Sequence, residues 1–145
     1  MIYLGCDHGG YELKNVIAKH LLKLQLSFVD SPVMDDEPVD YPDIARSICG
    51  KLGEGDKAIL VCGTGIGMAM TANKFKGIRA ACVSDTFSSK MARAHNDANV
   101  LCLGGRVLGA GLAIEIVDAF LATDFEGGRH QNRIQKIEFD STNNE

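Results

Sequence analysis

Cys62 stands immediately before Gly63-Thr64-Gly65-Ile66-Gly67, at what reads as the end of the apolar strand Ala58 to Cys62. Glycines at such a place let the chain turn sharply into a helix, with successive backbone N–H groups directed into a concave nest. A phosphate or an enediolate oxygen would fit it. The positive end of the helix is expected to favour thiolate over thiol, and a free cysteine, with a pKa of about 8.5, needs only a modest shift to act as a base near neutrality. The spacing matches neither GxGxxG nor GxxxxGK[ST], so neither a dinucleotide nor a Walker-type triphosphate is supported. Tight strand-to-helix packing would call for the same glycines, and most cysteines are simply buried. Cys6, Cys82 and Cys102 read as strand-core residues and Cys49 as helix packing; Cys62 departs from them through its neighbours.

Other chemically capable residues follow other strands. Asp7-His8-Gly9-Gly10 comes after the first, Ser84-Asp85 after the fourth and Gly104-Gly105-Arg106 after the fifth. His95-Asn96-Asp97 ends a helix just before the fifth strand, and His95 is expected to aim at the same edge as a proton donor to a ring oxygen. It would equally complement a helix dipole there, and Asp7 with His8 would equally open a helix. Arg129 and Arg133 lie four apart, which on a helix puts them on one face; with Arg106 they could grip a phosphate dianion, or form an ordinary solvated face. No His/Cys/Asp/Glu grouping has convincing metal-ligand spacing, and no metal is expected. His20 and His130 join no constellation and read as structural or exposed.

The elements that must position these groups form a simple pattern. Short apolar runs at Ile2 to Cys6, Ser27 to Asp30, Ala58 to Cys62, Ala80 to Val83 and Val100 to Leu103 alternate with amphipathic stretches, predicting βαβ units around a buried parallel sheet. Helical spacing runs from Leu13 to Leu24 and from Ile114 to Leu121, with further helices over Tyr41 to Leu52, Ile66 to Lys74 and Ser88 to His95. Asp40-Tyr41-Pro42 reads as a helix start with a capping carboxylate. The expectation is a three-layer, Rossmann-like α/β domain over residues 1–139, with a loose acidic stretch from Ser31 to Val39 and a frayed tail over 140–145. In such folds ligands bind beyond the carboxyl ends of the strands.

The 145 residues carry a formal net charge of -4, with 46% hydrophobic and 23% charged residues, which excludes disorder and a polyanion-binding surface. Nucleic acid is not an expected partner. Five cysteines without a CxxC pair, and an amino terminus without signal-peptide regions, predict free thiols in a reducing cytoplasm. No apolar run approaches a bilayer span, so no membrane association is expected.

Taken together the blocks Gly5-Cys6-Asp7-His8-Gly9-Gly10, Asp40-Tyr41-Pro42, Cys62 to Gly67, Ala72-Asn73-Lys74, Gly77-Ile78-Arg79-Ala80, His95 to Val100, Gly104-Gly105-Arg106 and Gly127 to Arg133 resemble the ribose-5-phosphate isomerase B and galactose-6-phosphate isomerase family. The resemblance implies interconversion of D-ribose 5-phosphate and D-ribulose 5-phosphate through a cis-enediolate. It implies no metal or organic cofactor, and a homodimer or dimer of dimers with sites between subunits. By position Cys62 matches the proton-abstracting base, and His95 the acid that helps open the furanose, with Asp7 assisting. Thr64 matches the hydroxyl that shuttles a proton, and the backbone of Gly63, Gly65, Ile66 and Gly67 the enediolate-stabilising nest. Asn96 matches a substrate-hydroxyl contact, Tyr41 a pocket residue, and Arg106, Arg129 and Arg133 with His8 the phosphate grip. One branch of the family uses a glutamate near the end of the glycine loop in place of the cysteine; here Met68 stands there.

Two other readings compete. The same chemistry on a hexose 6-phosphate, allose or galactose, differs only in pocket depth. A non-catalytic phosphate- or nucleotide-binding module would need the glycine nest alone, leaving Cys62, Thr64 and His95 without a shared purpose. A cysteine phosphatase would need an arginine where Met68 stands.

Overall fold

The computed structural model describes residues 1–33 and 38–142. The centre of the expected acidic stretch, 34–37, and the end of the expected tail, 143–145, lie outside the described residues. The chain runs β1 (Ile2–Cys6), α1 (Tyr11–Lys23), β2 (Phe28–Asp30), α2 (Tyr41–Cys49), β3 (Lys57–Cys62), α3 (Ile66–Ala72), β4 (Ala80–Cys82), α4 (Thr86–Ala94), β5 (Val100–Gly104), α5 (Ala110–Ala122) and α6 (Arg129–Ile137). The strands form the expected five-stranded parallel sheet, in the order β2-β1-β3-β5-β4.

The central strands read as continuous apolar runs because both their faces are covered. Leu4, Cys6, Ile59, Val61, Leu101 and Leu103 pack with Leu13, Ile17 and Leu21 of α1 and Ile116 and Phe120 of α5. Their alternates Ala58, Leu60, Cys62, Val100 and Cys102 pack with Ala45 and Ile48 of α2 and Met68 and Ala72 of α3. Side chains alternate across a strand, so this one register builds both cores and places Cys62 on the α2/α3 face. Among the described residues no helix is long and apolar enough to cross a membrane.

Two local expectations are corrected. Cys82 is exposed, because β4 is an edge strand paired on one side only, with β5. Asp40 occupies the position before α2 with an extended backbone, but its carboxylate makes no capping hydrogen bond. Caps of that kind occur instead at Asp7, whose Oδ1 accepts from Gly10 N–H at 3.1 Å, and at Asp85, which accepts from Ser88 N–H at 2.7 Å.

Strand order directs attention to one crevice. β1 and β3 are neighbours, yet the chain leaves β1 toward β2 on one side and β3 toward β5 and β4 on the other. The carboxyl ends of β1 and β3 therefore flank a topological switch point, where open parallel sheets bind ligands.

Candidate active site

Three strand ends meet at this crevice because glycines remove the side chains that would hold them apart. A Cβ on Gly10 would collide with the Val61 carbonyl, and one on Gly105 would lie 2.6 Å from Gly9 O. Asp7, buried at 7% exposure, donates its N–H to Val61 O at 3.2 Å; Gly105 donates to Cys62 O at 2.7 Å and Arg106 to Gly63 O at 3.0 Å. The loops after β1, β3 and β5 are thus locked to one another through backbone.

Cys62 ends β3 at 5% exposure. The chain then turns through Gly65, whose φ of +79° suits glycine and which a side chain could not occupy, since its Cβ would lie 2.9 Å from backbone of Leu103. This turn aims the Gly65 N–H at Cys62 Sγ, at 3.1 Å. A donor so placed stabilises negative charge on sulfur. The Ile66 N–H meets Thr64 Oγ1 at 3.3 Å. The glycine nest therefore exists, but two of its donors turn inward onto Cys62 and Thr64.

Burial raises the other thiols. It pushes Cys6 and Cys49 each up to about 11 and Cys102 further, and raises exposed Cys82 less, with a contribution from nearby Cys62. These thiols stay protonated at neutral pH.

Other expected site residues surround Cys62. His8 lies in the 3-10 turn after β1 and is exposed. The Arg106 guanidinium lies over Gly63, with Nη1 3.5 Å from where a Cβ would be. The Tyr41 ring covers Gly67 so closely that a Cβ there would come 2.5 Å from it. Met68 is fully buried in the α2/α3 core and offers no base.

His95, Asn96, Arg129 and Arg133 are elsewhere, which corrects the expectation that His95 aims at the edge of Cys62. α4 runs back against the direction of the strands, so the segment after it reaches the amino edge, where Val100 of β5 pairs with Ala58. Cys62 pairs with Gly104 at the other end of the same ladder, about 13 Å along it. The Glu126 N–H donates to Ala94 O at 3.0 Å, bringing the start of α6 to His95. Arg129 and Arg133 share α6 and are exposed, as is Asn96.

This second group is built firmly. Arg79 donates from Nε to Asn96 O at 2.9 Å and from Nη2 to Asp97 O at 3.0 Å; Arg93, buried, donates to Ala98 O at 2.6 Å and Asp97 Oδ1 at 2.9 Å. His130, which sequence left without a partner, stacks on His95 with ring centroids 4.2 Å apart and planes 11° from parallel. Glu126 completes the cluster, and the ligand atoms of all three residues lie within 4.8 Å of one another. A metal held by both imidazoles must lie in both ring planes, which stacked rings prevent unless they splay. The i,i+4 spacing of Glu126 and His130 was the available signal; their meeting with His95 is tertiary.

A thiol in a glycine turn at the switch point of a parallel sheet, with an arginine beside it, defines an α/β enzyme site for a small anionic substrate. The chain belongs to the Ribose/Galactose Isomerase family, whose model matches residues 2–137. It is 46% identical over 140 residues to ribose-5-phosphate isomerase B of Escherichia coli, covering 94% of this chain and 93% of that protein. A ribose 5-phosphate isomerase structure from Thermotoga maritima has a TM-score of 0.91 at 45% identity, over 94% of this chain and 96% of that one. Ribose-5-phosphate isomerase B of Mycoplasma genitalium, solved with bound ribulose-5-phosphate, has a TM-score of 0.90 at 45% identity, over 94% and 93% of the two chains.

Proposed function

We propose that this chain interconverts D-ribose 5-phosphate and D-ribulose 5-phosphate, with Cys62 as the base that moves a proton between C2 and C1. The single observation that carries the reading is Cys62 Sγ held by the Gly65 N–H at the switch point. Family membership supports it, as do relatives named for this reaction at 45–46% identity.

The reaction begins with furanose opening: the ring oxygen takes a proton, the C1 hydroxyl loses one, and an aldehyde forms at C1. His95 is the acid, assisted by Asp7. Cys62 thiolate then takes the C2 proton while the C1 oxygen acquires charge; the glycine turn stabilises the enediolate, and Thr64 passes a proton between the two oxygens. Return of a proton to C1 gives the ketose. Electrons only rearrange within the sugar, so the step calls for no external oxidant, reductant or organic cofactor. Arg106, Arg129, Arg133 and His8 hold the phosphate, Asn96 a hydroxyl and Tyr41 a pocket wall, so binding energy remote from C1 and C2 aligns them on sulfur.

A site of this kind requires two copies of the chain. His95, Asn96, Arg129 and Arg133 lie at the edge opposite Cys62, so a second copy supplies them in a homodimer. Exposed Ile66, Met70, Phe87 and Val107 near the carboxyl edge suit such a contact. Free thiols and a phosphorylated sugar fit a cytoplasmic reaction.

The test is turnover of D-ribose 5-phosphate by chelator-treated protein, with Cys62→Ala in parallel. Turnover that vanishes in the folded variant supports the reading. Turnover confined to allose or galactose 6-phosphate would replace the substrate, and an active Cys62→Ala would remove the base.

A further inference from the structure

His95 is the ring-opening acid in the reading above, and an acid must present a defined ring nitrogen in a defined plane. His95 itself is 41% exposed at the side chain and ends a helix, a position from which an isolated imidazole would sample several rotamers. Two neighbours restrain it. His130, only 14% exposed, lies flat against one face of the ring. The Glu126 carboxylate reaches both rings through one oxygen, Oε2, 3.8 Å from His95 Nε2 and 3.6 Å from His130 Nε2. These are ion-pair distances rather than hydrogen bonds.

We propose that Glu126 and His130 are positioning residues for His95: the stack fixes the ring plane, and the Glu126 carboxylate faces Nε2, leaving Nδ1 to donate to the substrate ring oxygen. The proposal rests on the assignment of His95 as the ring-opening acid. Its chemistry is consistent with where the proton resides. Burial, then the charge of His95, hold the His130 imidazolium below its ordinary range; Arg129 and Arg133 act in the same direction and Glu126 against it. Stacked imidazoles do not both carry charge readily, and of the two rings His130 is the less exposed. His130 serves as a neutral platform.

The experiment separates ring opening from proton transfer. D-ribulose 5-phosphate has its C5 hydroxyl blocked and cannot close a furanose, so Cys62-dependent deuterium exchange at C1 in D2O bypasses ring chemistry. Isomerisation of D-ribose 5-phosphate requires it. Glu126→Gln is expected to lower kcat for isomerisation about tenfold with little change in KM, while exchange into ribulose 5-phosphate stays at the wild-type rate. Glu126→Asp restores part of the loss, and Glu126→Gln adds nothing to His95→Ala, as expected of residues acting as one unit. His130→Phe, which keeps a stacking face, retains more activity than His130→Ala. Equal losses in both assays, or no loss in either, would overturn the positioning role. Full isomerisation by His95→Ala would instead overturn the assignment of the acid and the proposal with it; absence of ribose 5-phosphate isomerisation by the wild type would overturn the reaction itself.

Discussion

Cys62 and His95 occupy opposite ends of one parallel ladder: Cys62 pairs with Gly104 where β5 ends, and His95 lies five residues before Val100, where β5 begins. Each sits in a group of its own, one built from glycine-lined strand ends and the other from arginines, stacked imidazoles and a carboxylate. Neither group alone has what furanose opening and proton transfer together require. Their separation is the ground on which a site shared between two chains is proposed.

Gly65 couples the turn to the thiol. Replacing it with alanine strains a left-handed residue and drives a methyl group against Leu103, costing about 2–4 kcal/mol of stability and displacing the N–H that meets Cys62. Denaturant midpoints and kcat, measured together, are expected to fall. Unchanged values of both would show that the turn adapts and that the donor is dispensable.

Arg106 tests the phosphate end. Arg106→Met removes a forked cation beside Gly63, and the expected result is a KM for ribose 5-phosphate raised about ten- to a hundredfold. The smaller effect is on kcat. A large fall in kcat at constant KM would place Arg106 in the chemistry rather than the grip.

Arg79 is assigned no role in the proposed reaction, yet it holds the backbone of Asn96 and Asp97. Arg79→Ala is expected to reduce ribose 5-phosphate turnover about tenfold by loosening this segment. Deuterium exchange into ribulose 5-phosphate, which depends on the Cys62 group, is expected to change far less. Equal losses would make Arg79 a support of the whole fold.

Alkaline pH provides a thermodynamic check. Cys6 and Cys49 are each raised from 9.0 to about 11 by burial, so the folded protein keeps protons that the unfolded chain releases. Their contribution is full below pH 9 and is lost as pH rises toward 11. Unfolding free energy is expected to fall across that window, and less steeply in Cys49→Ala once the loss of packing is referenced to pH 7. An identical slope in the variant would contradict the burial argument.

The carboxyl-edge group was legible in the sequence because a local rule applies to it: residues at or just beyond the carboxyl ends of parallel strands share an edge, and Asp7, Cys62 and Arg106 all lie there. The other group follows a helix. Its residues were recognisable as chemistry, but the antiparallel return of α4 carries His95 to the far edge, and the approach to His130 closes a gap of thirty-five positions. Cys82 illustrates the same limit, since an apolar triplet does not reveal that its strand is an edge. Asp40 had the right type and place for a cap, but local spacing does not determine which way its carboxylate turns.

The most direct measurement is subunit complementation. Cys62→Ala and the double variant His95→Ala/Arg133→Ala are each expected to be inactive on ribose 5-phosphate, one through its base and the other through its acid and phosphate grip. Mixed equally under conditions of verified subunit exchange, half the dimers are mixed and each contains one intact site, so turnover recovers to about a quarter of wild type. An inactive mixture containing verified mixed dimers would contradict a site shared between chains.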